Sequence, residues 1–151
     1  MKYLAALALL ALPTTGFAHD LAVRDAYVPL AAPGATVHAA YMMLTNPSAE
    51  PEQIVSVSAQ GYAMAHIHKS EVVNDVATMS MVEMIEISPG QTVMLEQGGL
   101  HIMLMKPEAA LAEGDTVVMT LEFADGTTQL VEAMVMPLMK GMHGDHSGHG
   151  S

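Results

Sequence analysis

The chain has 151 residues, a length suited to one domain, and 51% of them are hydrophobic, enough to fill a core. Its formal charge of −11 comes from acids spread along the chain, with no basic patch to neutralise phosphates, and this excludes a nucleic-acid partner. There is no Cys, which removes disulfides, thiolate catalysis, zinc fingers and the blue-copper centre, whose metal needs a thiolate. Trp is absent and Met is abundant, with 15 in the chain. Met ordinarily fills irregular gaps in a core.

Taken in chain order, Met1 to Ala18 reads as a secretory signal. Lys2 is followed by the apolar run Leu4 to Leu12, then by a break at Pro13 and a small-x-small site at Gly16-Phe17-Ala18. The run is too short to span a bilayer, which takes about 20 residues. Cleavage after Ala18 is expected to leave a mature chain that begins at His19 and resides in the periplasm. No Cys stands at the cleavage site to carry a lipid.

The mature chain is dominated by strand patterns. Leu21 to Leu30 ends in a loop through Pro33-Gly34, and Thr36 to Leu44 is closed by the turn Thr45-Asn46-Pro47-Ser48. Gln53 to Ala59, Ala63 to Lys69 and Val72 to Val76 follow, the last forming a hairpin around Asn74-Asp75. Thr78 to Ile87 reads as one strand before the turn Ser88-Pro89-Gly90. Thr92 to Glu96 and Leu100 to Met105 flank Gln97-Gly98-Gly99, and Pro107 to Leu111 is suited to a single helical turn with Pro at its first position. Thr116 to Phe123 alternates cleanly, placing Val117, Met119, Leu121 and Phe123 on one face. Asp125-Gly126 then turns the chain into Thr128 to Met136. This pattern predicts an all-β sandwich of about eight or nine strands over residues 19–137. From Leu138 the composition changes to a flexible tail containing Met139, Met142, His143, His146 and His149, a tract whose composition suits metal capture.

One stretch carries chemistry. It runs His68, ten residues, Met79, twenty-one residues, then His101-Ile102-Met103. Alternation puts His101, Met103 and Met105 on one face of their strand, pairs His66 with His68 on another, and pairs Met79 with Met81. Two imidazoles and two neutral thioethers, without a thiolate, suit Cu(I) better than Cu(II), Zn(II) or oxygen-loving cations. From the residues alone, core filling and copper binding both stand open for these Met, and face-sharing does not separate His66 from His68.

The spacing H-x10-M-x21-H-x-M resembles the copper-binding signature of the PCu(A)C family of periplasmic copper chaperones. The flanks are similar too, in Ile85-Glu86-Ile87-Ser88-Pro89-Gly90, Gly98-Gly99-Leu100-His101-Ile102-Met103-Leu104-Met105 and Leu111-x-Glu113-Gly114-Asp115-Thr116. The resemblance covers about Ala22 to Met136. It implies a cupredoxin-like β-sandwich that is not an enzyme and that holds Cu(I) at an exposed site through His68, Met79, His101 and Met103. It implies delivery to the binuclear copper centre of cytochrome c oxidase, on subunit II, or to another periplasmic copper carrier. The tail resembles the Met/His-rich extension of some members and implies a second site favouring Cu(II). One departure is Lys69-Ser70-Glu71 after the first His, where members often carry further Met.

Other residues weigh less. His38 reads as a satisfied core or surface His, and Met42, Met119, Met134 and Met136 as core. Met81 and Met105 share faces with proposed ligands and offer fallback thioethers. A mature N-terminal His19 offers a Cu(II) chelate of the kind used by copper oxygenases, but those need a further rigid His. The competing functions are a copper or zinc buffer acting mainly through the tail, and a copper oxidase or oxygenase, which needs an open redox-cycling site.

Overall fold

The computed structural model describes residues 20–137. The signal at 1–18, His19 and the tail at 138–151 lie outside the described residues. Among the described residues every regular element is a strand: β1 Ala22–Pro29, β2 Val37–Thr45, β3 Glu52–Ala59, β4 Tyr62–Val73, β5 Val76–Met81, β6 Ile85–Ile87, β7 Thr92–Leu95, β8 Leu100–Pro107, β9 Thr116–Phe123 and β10 Thr128–Met136.

All ten are hydrogen-bonded in one sheet, in the order β5-β4-β8-β7-β2-β1-β10-β9-β3-β6. Because β7 and β8 lie end to end along β2, eight interstrand spacings would separate β5 from β6 in a flat sheet, about 38 Å. Yet β5 and β6 are consecutive in the chain, and the step from Met81 to Ile85 reaches at most about 14 Å. The sheet must therefore fold over until its ends meet, and it becomes the two layers of a cupredoxin-like sandwich. The turn of the fold runs through β1. Its first residues pair with β2 (Val23 with Leu44) and its last pair with β10 (Val28 with Val135). Between them the register slips, and Asp25 takes a φ of 51°. Strands that change layers commonly do so at such a bulge.

Alternation fills the space between the layers. Val117, Met119, Leu121 and Phe123 of β9 are all buried, as β9's pattern predicts, and they meet Ile54, Ile102, Leu104, Met42 and Leu44. Asn46 is buried among these apolar groups, and its amide is fully used. Nδ2 donates to the carbonyls of Glu50 (2.7 Å) and Ile87 (2.9 Å), and Oδ1 accepts from the Ser48 N–H (2.9 Å). One side chain thus ties the β2–β3 turn to β6.

Three expectations need correction. There are ten strands rather than eight or nine, because Thr78 to Ile87 is two elements, interrupted at residues 82–84 where the chain crosses from one layer to the other. The segments at 63–69 and 72–76 are not separate strands before a hairpin. β4 runs unbroken from Tyr62 to Val73 and turns at Asn74 and Asp75, whose φ values of 52° and 62° suit a two-residue type I′ turn. Residues 107–111 form no helical turn. Pro107 closes β8, and the Glu108 N–H is taken by the carbonyl of Gly61 at 2.8 Å, so that segment is spent on anchoring the β3–β4 turn.

Candidate metal centre

β4 lies between β5 and β8, and register decides which side chains meet there. His68 stands directly opposite His101 on β8 and directly opposite Met81 on β5. Met79 is opposite Ser70, and Met103 is opposite His66. Residues opposite one another share a face, with Cβ atoms about 5 Å apart, and diagonal neighbours are about 7–8 Å apart. His101 is thus the direct neighbour of His68, while Met79 and Met103 are its diagonal neighbours. All four predicted ligands fall in one patch centred on His68. The other face of the same strands carries Ala65, Ile67, Ile102 and Leu104 into the core.

The two imidazole rings lie 6.1 Å apart between centroids, and His66 follows at 6.4 Å from His68. His101 is almost fully enclosed, at 6% exposure, whereas Met79 and Met81 are 53% and 60% exposed on the outermost strand. The site is therefore an imidazole base with thioethers at its open rim. Met79, His101 and Met103 line a depression of about 340 Å³ together with Tyr41, His38 and Gly98. Tyr41 packs 6.4 Å from the His101 ring.

The Gln97–Gly99 turn orients His101. β7 and β8 both pair with β2, and the chain leaves the sheet between them, with Gly98 at a φ of 82°. A side chain there would be strained. The turn delivers the Gly99 carbonyl to two donors, the Ser70 N–H at 3.0 Å and His101 Nδ1 at 3.1 Å. A carbonyl only accepts, so Nδ1 carries the proton and Nε2 of neutral His101 keeps its lone pair for a metal. His68 Nδ1 is buried without a hydrogen-bond partner. An unsatisfied buried nitrogen is costly, and a metal ion is one way to satisfy it. Burial, then the neighbouring His101 and His66, hold the His68 pKa below its ordinary value and favour the neutral, ligating form.

The remaining candidates separate cleanly. His38 is buried and its Nδ1 meets the Tyr62 hydroxyl at 2.7 Å, so it is a satisfied core histidine as expected. Burial lowers its pKa and pushes the Tyr62 phenol up to about 12. Met42 and Met119 are core, but Met134 is 57% exposed and lies away from it. Lys69 points from the opposite face to His68 and is paired with Glu71 at 3.0 Å, so its charge does not stand over the patch. Alternation could not reveal that Met81, rather than Met79, directly faces His68, nor that Tyr41 flanks His101. Both depend on which strands are neighbours. Among the described residues no group of three or more His, Asp or Glu converges as a metal site.

The family model for LpqE-like lipoproteins matches residues 21–135. The chain belongs to the LpqE-like family. A lipoprotein of Leifsonia xyli subsp. xyli is 31% identical over 119 residues, covering 78% of this chain and 70% of that one. The solution structure of Cu(I)-bound DR1885 from Deinococcus radiodurans aligns with a TM-score of 0.65 and 31% identity, over 83% of this chain and 85% of that chain. The apo PCuAC domain of PmoF1 aligns with a TM-score of 0.64 and 21% identity, over 78% of this chain and 93% of the domain. The resemblance to PCu(A)C domains read from the sequence is thereby borne out, and the fold with it. The lipoprotein description belongs to the relatives. The 151 residues here contain no Cys to carry a lipid. No helix among the described residues is long and apolar enough to cross a membrane.

Proposed function

We propose that this chain is an exported copper carrier that binds Cu(I) through His68, Met79, His101 and Met103 and passes it to a partner protein. The observation that carries this reading is the pairing of His68 with His101 on an outward face, with one imidazole oriented, the other unsatisfied, and exposed thioethers alongside. Thioether and neutral imidazole are soft or borderline ligands without charge, and they favour Cu(I). Kinship with a protein solved in its Cu(I) form supports the choice of metal. The rim placement of Met79 suits a carrier, because a ligand on the outermost strand can be exchanged for one from a recipient without unfolding the core.

In this reading the protein is not an enzyme. Copper is its cargo, the recipient is the binuclear centre on cytochrome c oxidase subunit II or another periplasmic carrier, and Met139, Met142, His143, His146 and His149 form an accessory site favouring Cu(II). The test is transfer. The Cu(I)-loaded chain is mixed with the metal-free soluble domain of an oxidase subunit II, and copper is measured on each after separation. Transfer that survives removal of residues 138–151 is the expected result. Retention of copper on the donor, or loss of all Cu(I) binding with the tail, overturns the reading in favour of a tail-based buffer.

A further inference from the structure

The outer face of β4 and β5 holds more soft ligands than one site uses. Met as a gap-filler accounts for buried Met42 and Met119, but not for Met81, which is 60% exposed. Met81 lines a second depression, of about 260 Å³, together with His66 and Glu83. The buried residues Val57, Ala65 and Ile67 contribute to the same lining and make much of it apolar. This depression opens between β3 and β4, where the sandwich's two layers meet without hydrogen bonds, and residues 82–84 cross it. The Val82 N–H binds the Ile67 carbonyl at 2.9 Å and fixes that crossing beside His66 and His68.

The two depressions have no lining residue in common, and each takes one Met from β5. Met79, His101 and Met103 line one, while His66 and Met81 line the other. His68 stands between them in register, opposite both His101 and Met81. His66 neighbours His68 along β4 and His101 faces it across the sheet, with ring centroids 6.4 and 6.1 Å from the His68 ring.

We infer that His66 and Met81 form a second soft-metal station for Cu(I), adjacent to the first across His68. Cu(I) is stable with few ligands, and one imidazole with one thioether is a soft or borderline neutral pair matched to it. The apolar part of the lining discourages strongly hydrated divalent ions, and Glu83 on the same lining brings one negative charge to balance a single positive one. The arrangement provides a path. Copper held at the first depression moves by ligand exchange through His68 to His66 and to the exposed thioether of Met81, beside the crossing at residues 82–84, which gives a recipient a second point of access. The inference takes the identity of the metal from the function proposed above, but its ligands are different residues.

The test uses the full chain with methionine ε-methyl groups labelled with ¹³C, titrated with Ag(I) as a redox-silent stand-in for Cu(I). The first equivalent is expected to shift the Met79 and Met103 methyls. The second is expected to shift the Met81 methyl and the His66 ring. Met81→Leu together with His66→Gln is expected to abolish the second set of shifts and leave the first. Met81 is exposed and His66 half-buried, so neither change empties the core, and an unchanged amide spectrum of the metal-free variant checks this. Movement of Met81 with the first equivalent, in step with Met79, would mean one larger site and would overturn the second station. So would a second equivalent that moves only Met139 and Met142. If Met81 and His66 respond while Met79 and Met103 never do, the primary site fails and the station stands.

Discussion

Ile102 lies between His101 and Met103 and faces the other way. It is 1% exposed and points into the core, while its two neighbours point outward. Ile102→Val removes one buried methylene, worth about 0.8 kcal/mol by transfer. With the residual cavity the expected cost is about 1 kcal/mol, and Ile102→Ala is expected to cost about 3 kcal/mol. A domain of this size has roughly 5–15 kcal/mol of stability, so both variants should remain folded. Urea unfolding of the metal-free protein measures the loss, and a Cu(I) competition titration runs in parallel. The Val variant is expected to unfold at lower urea and to keep its Cu(I) affinity within about twofold, well under the 1.4 kcal/mol that a tenfold change represents. A loss of stability no larger than a surface change, within about 0.5 kcal/mol, would refute the facing of β8. The outward facing of His101 and Met103 would fall with it.

Further outcomes follow from the same structure. Asn46→Ala removes three hydrogen bonds made by a buried amide, so it is expected to cost about 2–4 kcal/mol in denaturant unfolding without weakening Cu(I) binding. His38 and His68 both have pKa values held below the ordinary 6.5, mainly by burial. The unfolded chain therefore takes up protons first as pH falls, and the metal-free protein loses stability from about pH 6.5 downward, through the folded-state values. NMR titration of the two rings checks this, and midpoints at or above 6.5 would contradict it.

Much of the fold is legible in the sequence because alternation reports which face a residue occupies. β9 shows this most fully, with four alternate apolar residues and all four buried. Alternation is silent about which strands are neighbours, since pairing is a long-range choice made by packing and turn geometry. The spacing of His68, Met79, His101 and Met103 therefore singles out the residues, but only the β5-β4-β8 order brings them into one patch. The same order puts Met81 rather than Met79 opposite His68 and creates the second depression beside His66. The break at residues 82–84 coincides with a slip in the alternation, since Val82 and Met84 are out of phase with Met79, Met81, Ile85 and Ile87, and reading Thr78 to Ile87 as one strand passes over that slip. The Pro107 helix start was a real local preference, but one isolated turn has little stability of its own, and the Gly61 carbonyl captured the Glu108 N–H instead.

In the proposed function the folded domain holds Cu(I) on the outward face of β4, β5 and β8. A Cu(I) competition titration of wild type against Met103→Ala tests it most directly. Met103 is only partly buried and its neighbours in the core are untouched, so the variant keeps the fold. One tightly held Cu(I) is expected in the wild type, with a loss of at least about tenfold, about 1.4 kcal/mol, in the variant. An unchanged affinity would contradict the proposed site.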